Sequence, residues 1–303
     1  MSTVLVTGIN GFIGSHAACH FLKRGFRVVG IDVHAQASGP WSEYVPMKLP
    51  STDLVPHIRA WQPAFCLHCA GPSSVGNSIQ DPTGDFQDSV AGTCSLLDAL
   101  RREAPACRVV YLSSAAVYGN PVSLPIDENA PVQPISPYGF HKQMCEWLCL
   151  EFHRVFGLHT ATLRIFSAYG PGLRRQVVAD ICAKLARPGT NPVELHGTGG
   201  ESRDFIHVAD IVAAIQVVID KAAFEGEIYN LASGRSENIA TVAEVLRRHL
   251  NPDREIRFTG AQRSGDPLHW SANIEKLRAL GFHTAVSIEN GLSEYAEWFR
   301  SST

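Results

Sequence analysis

Tyr138 and Lys142 stand four residues apart in Tyr138-Gly-Phe-His-Lys142, the spacing that brings two side chains to one face of a helix. An ammonium beside a phenol favours the phenolate. Such a pair can take a proton from a hydroxyl and return it, and the ammonium can also hold a ribose hydroxyl. Ser113-Ser114 follows the apolar run Arg108–Leu112 and supplies hydroxyls able to orient an oxygen during that transfer. Alone, Tyr and Lys at this spacing are an ordinary surface pair. Beside a bound nicotinamide they suit hydride exchange at a carbinol carbon, with Tyr moving the hydroxyl proton.

A place for such a cofactor stands at the N-terminus. Val4-Leu-Val-Thr-Gly8-Ile-Asn-Gly11-Phe-Ile-Gly14 reads as a strand, three glycines spaced by three, and a helix. Gly8 permits the tight turn, Gly11 lets backbone N–H groups approach a pyrophosphate at the positive end of the helix, and Gly14 lets the helix pack on the sheet. Asp32 ends the next strand, where a carboxylate accepts both adenosine-ribose hydroxyls and repels a 2′-phosphate. No Lys or Arg follows it in Val33-His-Ala-Gln, so the cofactor reads as NAD rather than NADP.

These groups need strands to end beside them. Strands are expected at Thr3–Thr7, Arg27–Ile31, Ala64–His68, Arg108–Leu112 and Thr160–Ile165, with helices at Phe12–Lys23, Thr83–Arg102 and Tyr138–Phe156. The alternation predicts an α/β fold, a Rossmann-type doubly wound parallel sheet, and the strands are apolar throughout, as when both faces are covered. After Ile165 loop signals dominate, with further helices expected at Val208–Lys221 and Ala240–Leu250. This divides the chain softly into a NAD-binding part, 1–166, and a smaller, discontinuous substrate-binding lobe, 167–303, some of whose segments return to the first core.

Taken together, these residues resemble the extended short-chain dehydrogenase/reductase family in its nucleotide-sugar epimerase/dehydratase branch. The resemblance runs on through His68-Cys-Ala-Gly71, Ser113-Ser-Ala-Ala-Val-Tyr-Gly119, Ser136-Pro-Tyr-Gly139 and Leu163-Arg-Ile-Phe-Ser-Ala-Tyr-Gly-Pro171. It continues in Arg203-Asp-Phe-Ile-His-Val-Ala-Asp210, Tyr229-Asn-Leu-Ala-Ser-Gly234 and Arg263-Ser-Gly-Asp-Pro267, and so covers nearly the whole chain. It implies a catalytic set of Ser114, Tyr138 and Lys142, with Ser114 rather than Ser113 chosen by the Val-Tyr-Gly that follows. It implies NAD contacts from Gly8, Asn10, Gly11, Phe12, Ile13, Gly14, Asp32, Leu49, Cys69, Ala70, Gly71, Tyr138 and Lys142. For the nucleotide sugar it implies Ser73, Ser114, Ser167, Gln176, Arg203, Arg263 and Asp266, with the two arginines suited to a diphosphate.

Departures from the family pattern narrow the reaction. Dehydratases carry an acidic pair just after the catalytic hydroxyl residue, whereas this chain has Ala115 and Ala116, which cannot move protons for elimination. Ser167 replaces the usual Asn, Gln176 stands for the Asn of the next substrate segment, and Lys48 takes the place of an acid before Leu49. His141, where Ser is common, is expected to be a helix-surface variant near enough to Lys142 to tune pH behaviour. The expected function is epimerisation at C4 of a UDP-hexose. The alternatives are a nucleotide 4-keto-6-deoxyhexose reductase of the GDP-sugar type, which shares the triad, and a catalytically silent NAD-binding regulator.

Composition agrees with a globular enzyme. In 303 residues, 45% are hydrophobic and 18% charged, which excludes disorder and coiled coil. A net charge of −3 argues against nucleic-acid or anionic-membrane binding. The N-terminus enters a strand without a basic segment, and the eight cysteines are scattered, so the expectation is a cytoplasmic protein with reduced, buried thiols and no metal. Cys66 and Cys69 form a lone CxxC with no second pair. A homodimer is expected through the two long helices, with Val90, Leu97 and Leu100 on one and Trp147, Leu148 and Phe152 on the other.

Overall fold

A computed structural model describes residues 1–189, 191–261 and 269–302. The strands are β1 (Thr3–Thr7), β2 (Arg27–Asp32), β3 (Glu43–Pro46), β4 (Phe65–His68), β5 (Arg108–Ser114), β6 (His159–Ile165), β7 (Ser167–Tyr169), β8 (Val193–Leu195), β9 (Ser202–His207), β10 (Glu225–Leu231), β11 (Ser236–Asn238) and β12 (Ile256–Phe258). The helices are α1 (Phe12–Lys23), α2 (Leu54–Trp61), α3 (Val75–Gln80), α4 (Pro82–Phe86), α5 (Gly92–Glu103), α6 (Pro137–Phe156), α7 (Gln176–Ala186), α8 (Val208–Lys221), α9 (Ile239–Leu250), α10 (Glu275–Ala279) and α11 (Ile288–Ser302).

Seven strands form a parallel sheet in the order β10-β6-β5-β4-β1-β2-β3. Its strands are apolar along their length because successive residues enter different cores. Val4 and Val6 pack with Ala17, Phe21, Ile211 and Ile215 of α1 and α8. Leu5 between them packs on the opposite face with Leu54, Leu96 and Cys149 of α2, α5 and α6. The fold class is the expected Rossmann type. The order reverses between β1 and β4, so the loops leaving these two strands diverge and leave a crevice at their carboxyl ends.

Beyond Ile165, β7, β9 and β11 make a small mixed sheet and β8 pairs with β12. Their shared core holds Ile181, Leu195, Phe205, Val242 and Tyr295 from α7, α9, α11 and the short strands. Glu225–Leu231 returns to the first sheet beside β6, and α8 packs on α1. β7, β8, β11 and β12, of three residues each, carry no readable period, whereas β9 and β10 are longer strands beyond those expected from the sequence.

Two expectations change. The helix expected over Thr83–Arg102 is α4 and α5 joined by a π-helical turn at Gln87–Ala91. Of the residues expected to face a second copy, Leu97, Leu100 and Phe152 are buried in the sheet core, and Val90 and Leu148 pack against it. They are consumed by α2, α5 and α6 covering the sheet, and Trp147 alone of that set is exposed.

Candidate active site

The glycine loop is shaped by close backbone approach. Gly8 has φ +68°, and a Cβ there would lie 2.9 Å from the Ala70 nitrogen. At Gly14 a Cβ would lie 2.2 Å from the Gly8 carbonyl oxygen, so α1 can approach β1 only with glycine at that position. Gly11 is the N-cap of α1 without a capping side chain, and the first turn contains no acid. The N–H groups at Phe12 and Ile13 are therefore available to an anion at the positive helix end. This cradle fits the pyrophosphate of a dinucleotide.

At the end of β2, Asp32 is buried. Its Oδ2 accepts from the Asn10 N–H at 3.0 Å, and its Oδ1 accepts from the His34 N–H at 3.2 Å. The His34 Nδ1 also lies 2.6 Å from Oδ1, so an imidazole leans on the carboxylate read as the ribose acceptor. Sequence reasoning saw no cation after Asp32 and passed over this histidine, although an Asp-x-His spacing was there to find. The Asn10 side chain does not reach into the crevice. Its amide donates to the Gln36 carbonyl and Tyr44 hydroxyl, and its Oδ1 accepts from Ser38, which ties down the loop after β2.

Leu49 lies buried along the same crevice, beside an Asp88–Lys48 ion pair of 2.8 Å. The turn Cys69-Ala70-Gly71 forms the facing wall, with the Ala70 N–H donating to Thr7 Oγ1 at 3.1 Å. Thr7 Oγ1 also meets His68 Nδ1 at 2.7 Å, and His68 Nε2 meets Thr93 Oγ1 at 3.0 Å. Burial, reinforced by the Lys142 ammonium, pushes this imidazole down to about 3, so it serves as a neutral brace under the turn. Burial pushes the Cys66 and Cys69 thiols up, which suits inert thiols rather than redox chemistry. All eight cysteines are free, but Cys19 is exposed and Cys69 and Cys94 are half-buried, a correction to the expectation that they lie buried.

Ser114, Tyr138 and Lys142 converge from β5 and α6. The Ser136 hydroxyl caps α6 at the Gly139 N–H, and the Tyr138 N–H donates to Ser78 Oγ, which fixes the phenol-bearing turn. One turn on, the buried Lys142 ammonium donates to the Leu112 carbonyl at 2.9 Å and lies 5.9 Å from the Tyr138 ring centroid. Both serines border the dinucleotide crevice, but Ser114 alone also lines the larger cavity, and the Ser113 hydroxyl is committed to Glu146 at 2.5 Å. His141 is not the surface variant expected. It is buried against α4, with Nδ1 2.5 Å from Asp85 Oδ2 and its ring edge-on to Phe86.

Two cavities meet at these residues. One, of about 440 Å³, runs from the glycine loop past Asp32 and Leu49 to Lys142. The other, of about 750 Å³, opens between β5, α7 and the small sheet toward Arg203 and Trp270. Ser73, Ser114, Tyr138, Arg175 and Gln176 line both, so any molecule in one cavity meets any molecule in the other here. Ser167 and Ala116 line the larger cavity, while Ala115 is buried. The Arg203 guanidinium lies 5.7 Å from the Trp270 ring centroid at the far end. Arg263 and Asp266 lie outside the described residues. Among the described residues, no group of three or more His, Cys, Asp or Glu is placed to hold a metal ion. No helix of the described residues is long and apolar enough to cross a membrane.

A profile of the NAD-dependent epimerase/dehydratase family matches residues 4–232. The chain belongs to this family. Within it, a putative UDP-glucose 4-epimerase of Methanocaldococcus jannaschii is 28% identical over 99% of both chains. UDP-glucose 4-epimerase of Thermotoga maritima, solved with UDP-glucose, superposes with a TM-score of 0.91 at 26% identity over 99% of each chain. MoeE5, solved with UDP-glucuronic acid and NAD, superposes at 0.90 with 29% identity over the full length of both. The expected family stands, and so does NAD as the cofactor of this family member.

Proposed function

We propose that this protein is an NAD-dependent nucleotide-sugar epimerase that inverts C4 of a UDP-hexose through a transient 4-keto sugar. The observation that carries the reading is the wall shared by the two cavities. Ser114 and Tyr138 stand on it, and the neighbouring residue on the substrate side is Ala116 rather than an acid. A proton can therefore be moved at one hydroxyl, but neither Ala115 nor Ala116 can take or give one at the adjacent carbons. The similarity to UDP-glucose 4-epimerases supports C4 of a UDP-hexose.

In this reading NAD, when bound, supplies hydride acceptance and return, which leaves the overall reaction redox-neutral. Gly8, Gly11 and Gly14 with Phe12 and Ile13 hold its pyrophosphate, Asp32 its adenosine ribose, and Leu49 its adenine side. Cys69, Ala70 and Gly71 wall the crevice toward the reacting end. Tyr138 takes the C4 hydroxyl proton and, once the 4-keto sugar has turned over to offer its other face for reduction, returns the proton to the C4 oxygen. Lys142 keeps positive charge beside the phenol and holds a ribose hydroxyl, and Ser114 donates to the C4 oxygen. Ser73, Ser167 and Gln176 contact the sugar, and Arg203, with Arg263 and Asp266, holds the nucleotide in the lobe formed by residues 167–303.

The reductase reading uses the same three residues. What separates the two is whether reducing equivalents are consumed. Incubating the protein with UDP-glucose and with UDP-galactose, adding no cofactor, and following each by NMR tests it. Interconversion is expected. Reaction of a 4-keto-6-deoxy sugar alone, and only with added NADH or NADPH, replaces the epimerase by the reductase. No turnover of any sugar nucleotide favours the silent regulator.

A cytoplasmic homodimer belongs to the same proposal. Phe140 and Trp147, seven residues apart on one face of α6, are 47% and 59% exposed, with Phe86 of α4 nearby at 38%. Light scattering of the wild type and of Trp147→Asp decides it, with a dimer expected for the first and a monomer for the second.

A further inference from the structure

Asn is followed by Gly at two places in the chain, Asn10-Gly11 and Asn290-Gly291. Asparagine is a thermolabile residue, and most so before glycine, which has no side chain to shield its amide nitrogen from the asparagine Cγ. Asn10-Gly11 lies in the dinucleotide turn, and the Asn10 side chain has no part in the proton transfer. Its Nδ2 donates to the Gln36 carbonyl at 2.9 Å and to the Tyr44 hydroxyl at 3.2 Å. Its Oδ1 accepts from the Ser38 N–H at 2.9 Å and from the Ser38 hydroxyl at 2.8 Å. These bonds commit the amide to the loop after β2, and the Gly11 N–H is committed to the Gly8 carbonyl at 3.0 Å. Residues 33–38 of that loop are exposed, and so is Gly11. The guard on Asn10 is therefore a surface segment, of the kind that opens locally at little cost. Asn290-Gly291 is set differently. It lies inside α11, where Gly291 is buried against Tyr169 and its N–H donates to the Ser287 carbonyl at 2.9 Å.

We propose that Asn10 is a site of spontaneous deamidation gated by the loop after β2, so that a chain without its dinucleotide destroys its own dinucleotide site. When Gln36 and Ser38 let go, the Gly11 nitrogen attacks Asn10 Cγ. The N–Cγ bond forms, the Cγ–Nδ2 bond breaks, and ammonia leaves with the Gly11 amide proton, closing a succinimide ring. Water then opens either ring carbonyl, giving aspartate or isoaspartate at position 10. Both products are wrong for the turn. A carboxylate there stands beside Asp32, whose Oδ2 accepts the Asn10 N–H, and one residue before the α1 N-cap, where the positive helix end faces an anion. It also lacks the amide donors that hold Gln36 and Tyr44. Isoaspartate adds a methylene to the backbone of a turn so closely packed that a Cβ on Gly8 would lie 2.9 Å from the Ala70 nitrogen. A dinucleotide seated from Asp32 to Gly11 favours the closed loop by mass action and so protects Asn10.

Trypsin separates the two sites. Residues 1–23 hold Asn10 as their one side-chain amide, and residues 279–300 hold Asn290 as theirs. Protein stripped of dinucleotide, the same protein with excess NAD, and the urea-denatured chain are aged in mildly alkaline buffer, and both peptides are followed by mass spectrometry. The denatured chain gives the unguarded rate at both pairs. In the stripped protein Asn10 is expected to convert, and with NAD to convert about tenfold more slowly or better. Asn290 should stay intact in both folded samples. Ser38→Ala, which takes one hydrogen bond from the loop, should speed conversion at Asn10 about fivefold. NAD-binding capacity of the aged protein should fall in step with conversion, and fresh Asn10→Asp should bind NAD about tenfold more weakly, the scale of a charge set against a partly buried helix terminus. An intact Asn10 in the stripped protein, while the denatured chain converts, overturns the proposal. So does an equal rate with and without NAD, an equal rate at Asn290, an unchanged rate in Ser38→Ala, or full NAD binding after conversion.

Discussion

Glu146 receives the Ser113 hydroxyl at 2.5 Å, and this contact sorts two adjacent serines into different roles. Successive side chains of β5 point to opposite faces, so with the Ser113 hydroxyl committed to Glu146, Ser114 is the one left to the larger cavity. Ser114→Ala is expected to lower kcat about 100-fold, the scale of losing one hydrogen-bond donor to a reacting oxygen, with little change in Tm. Ser113→Ala is expected to cost about 1 kcal/mol of stability and to leave kcat within a few-fold. Steady-state rates beside thermal melts of both variants check the assignment, and the opposite pattern would reverse it.

Glu146 is also held in a bidentate pair by Arg164, at 2.9 and 2.7 Å, and both are buried. Arg164 further donates to the Tyr118 hydroxyl at 2.9 Å, which donates to Asn230 at 2.7 Å, so the pair ties α6 to β6, β10 and the turn after β5. Removing one partner strands the other charge. Glu146→Ala should therefore destabilise by about 3 to 5 kcal/mol, and Glu146→Gln by less. Urea denaturation of the two variants measures this, and equal, small losses would show that the pair contributes little.

The His68 imidazole, held near 3 in the folded chain against an ordinary 6.5, makes stability depend on pH. Between these values the unfolded chain binds a proton that the folded chain refuses, so stability falls as pH drops below about 6.5. From this group the slope is about 1.4 kcal/mol per pH unit. His68→Gln lowers stability at neutral pH and should flatten the decline between pH 7 and pH 5. Denaturation curves at several pH values test this, and parallel declines for variant and wild type would remove His68 as the source.

Asp32 should set the choice of dinucleotide. NAD is expected to bind far more tightly than NADP, and Asp32→Ala combined with Val33→Arg should shift preference toward NADP by removing the repulsion and adding a phosphate partner. Calorimetric titration of cofactor-stripped protein with both dinucleotides checks it. Comparable wild-type affinities would count against Asp32 as the ribose acceptor.

Tyr138→Phe should abolish sugar conversion while the protein still carries NAD, because the phenol moves the proton and adds little to dinucleotide binding. Cofactor content measured after purification, alongside NMR assays, separates the two effects. A variant that lost its NAD would place Tyr138 in binding instead.

What the sequence by itself determined is local. The Gly8-Gly11-Gly14 turn, the apolar runs of β1, β2 and β5, and Tyr138 four residues before Lys142 are legible because turn geometry and helix or strand period act over a few residues. With Asp32 at the end of β2, they were enough for the fold class and the cofactor. The tertiary structure decided whatever depends on segments far apart in the chain. Asp85 and His141 are 56 residues apart, and only the packing of α4 on α6 turned a surface-like histidine into a buried partner. Leu97, Leu100 and Phe152 read equally well as interface or core until the helices covering the sheet used them. Ser73 and Arg175 are 102 residues apart, and nothing in either neighbourhood foretells their meeting. Burial and long-range contact arise when elements are stacked, so a pattern can say that a face is apolar or a side chain charged, while the fold alone says what lies against it.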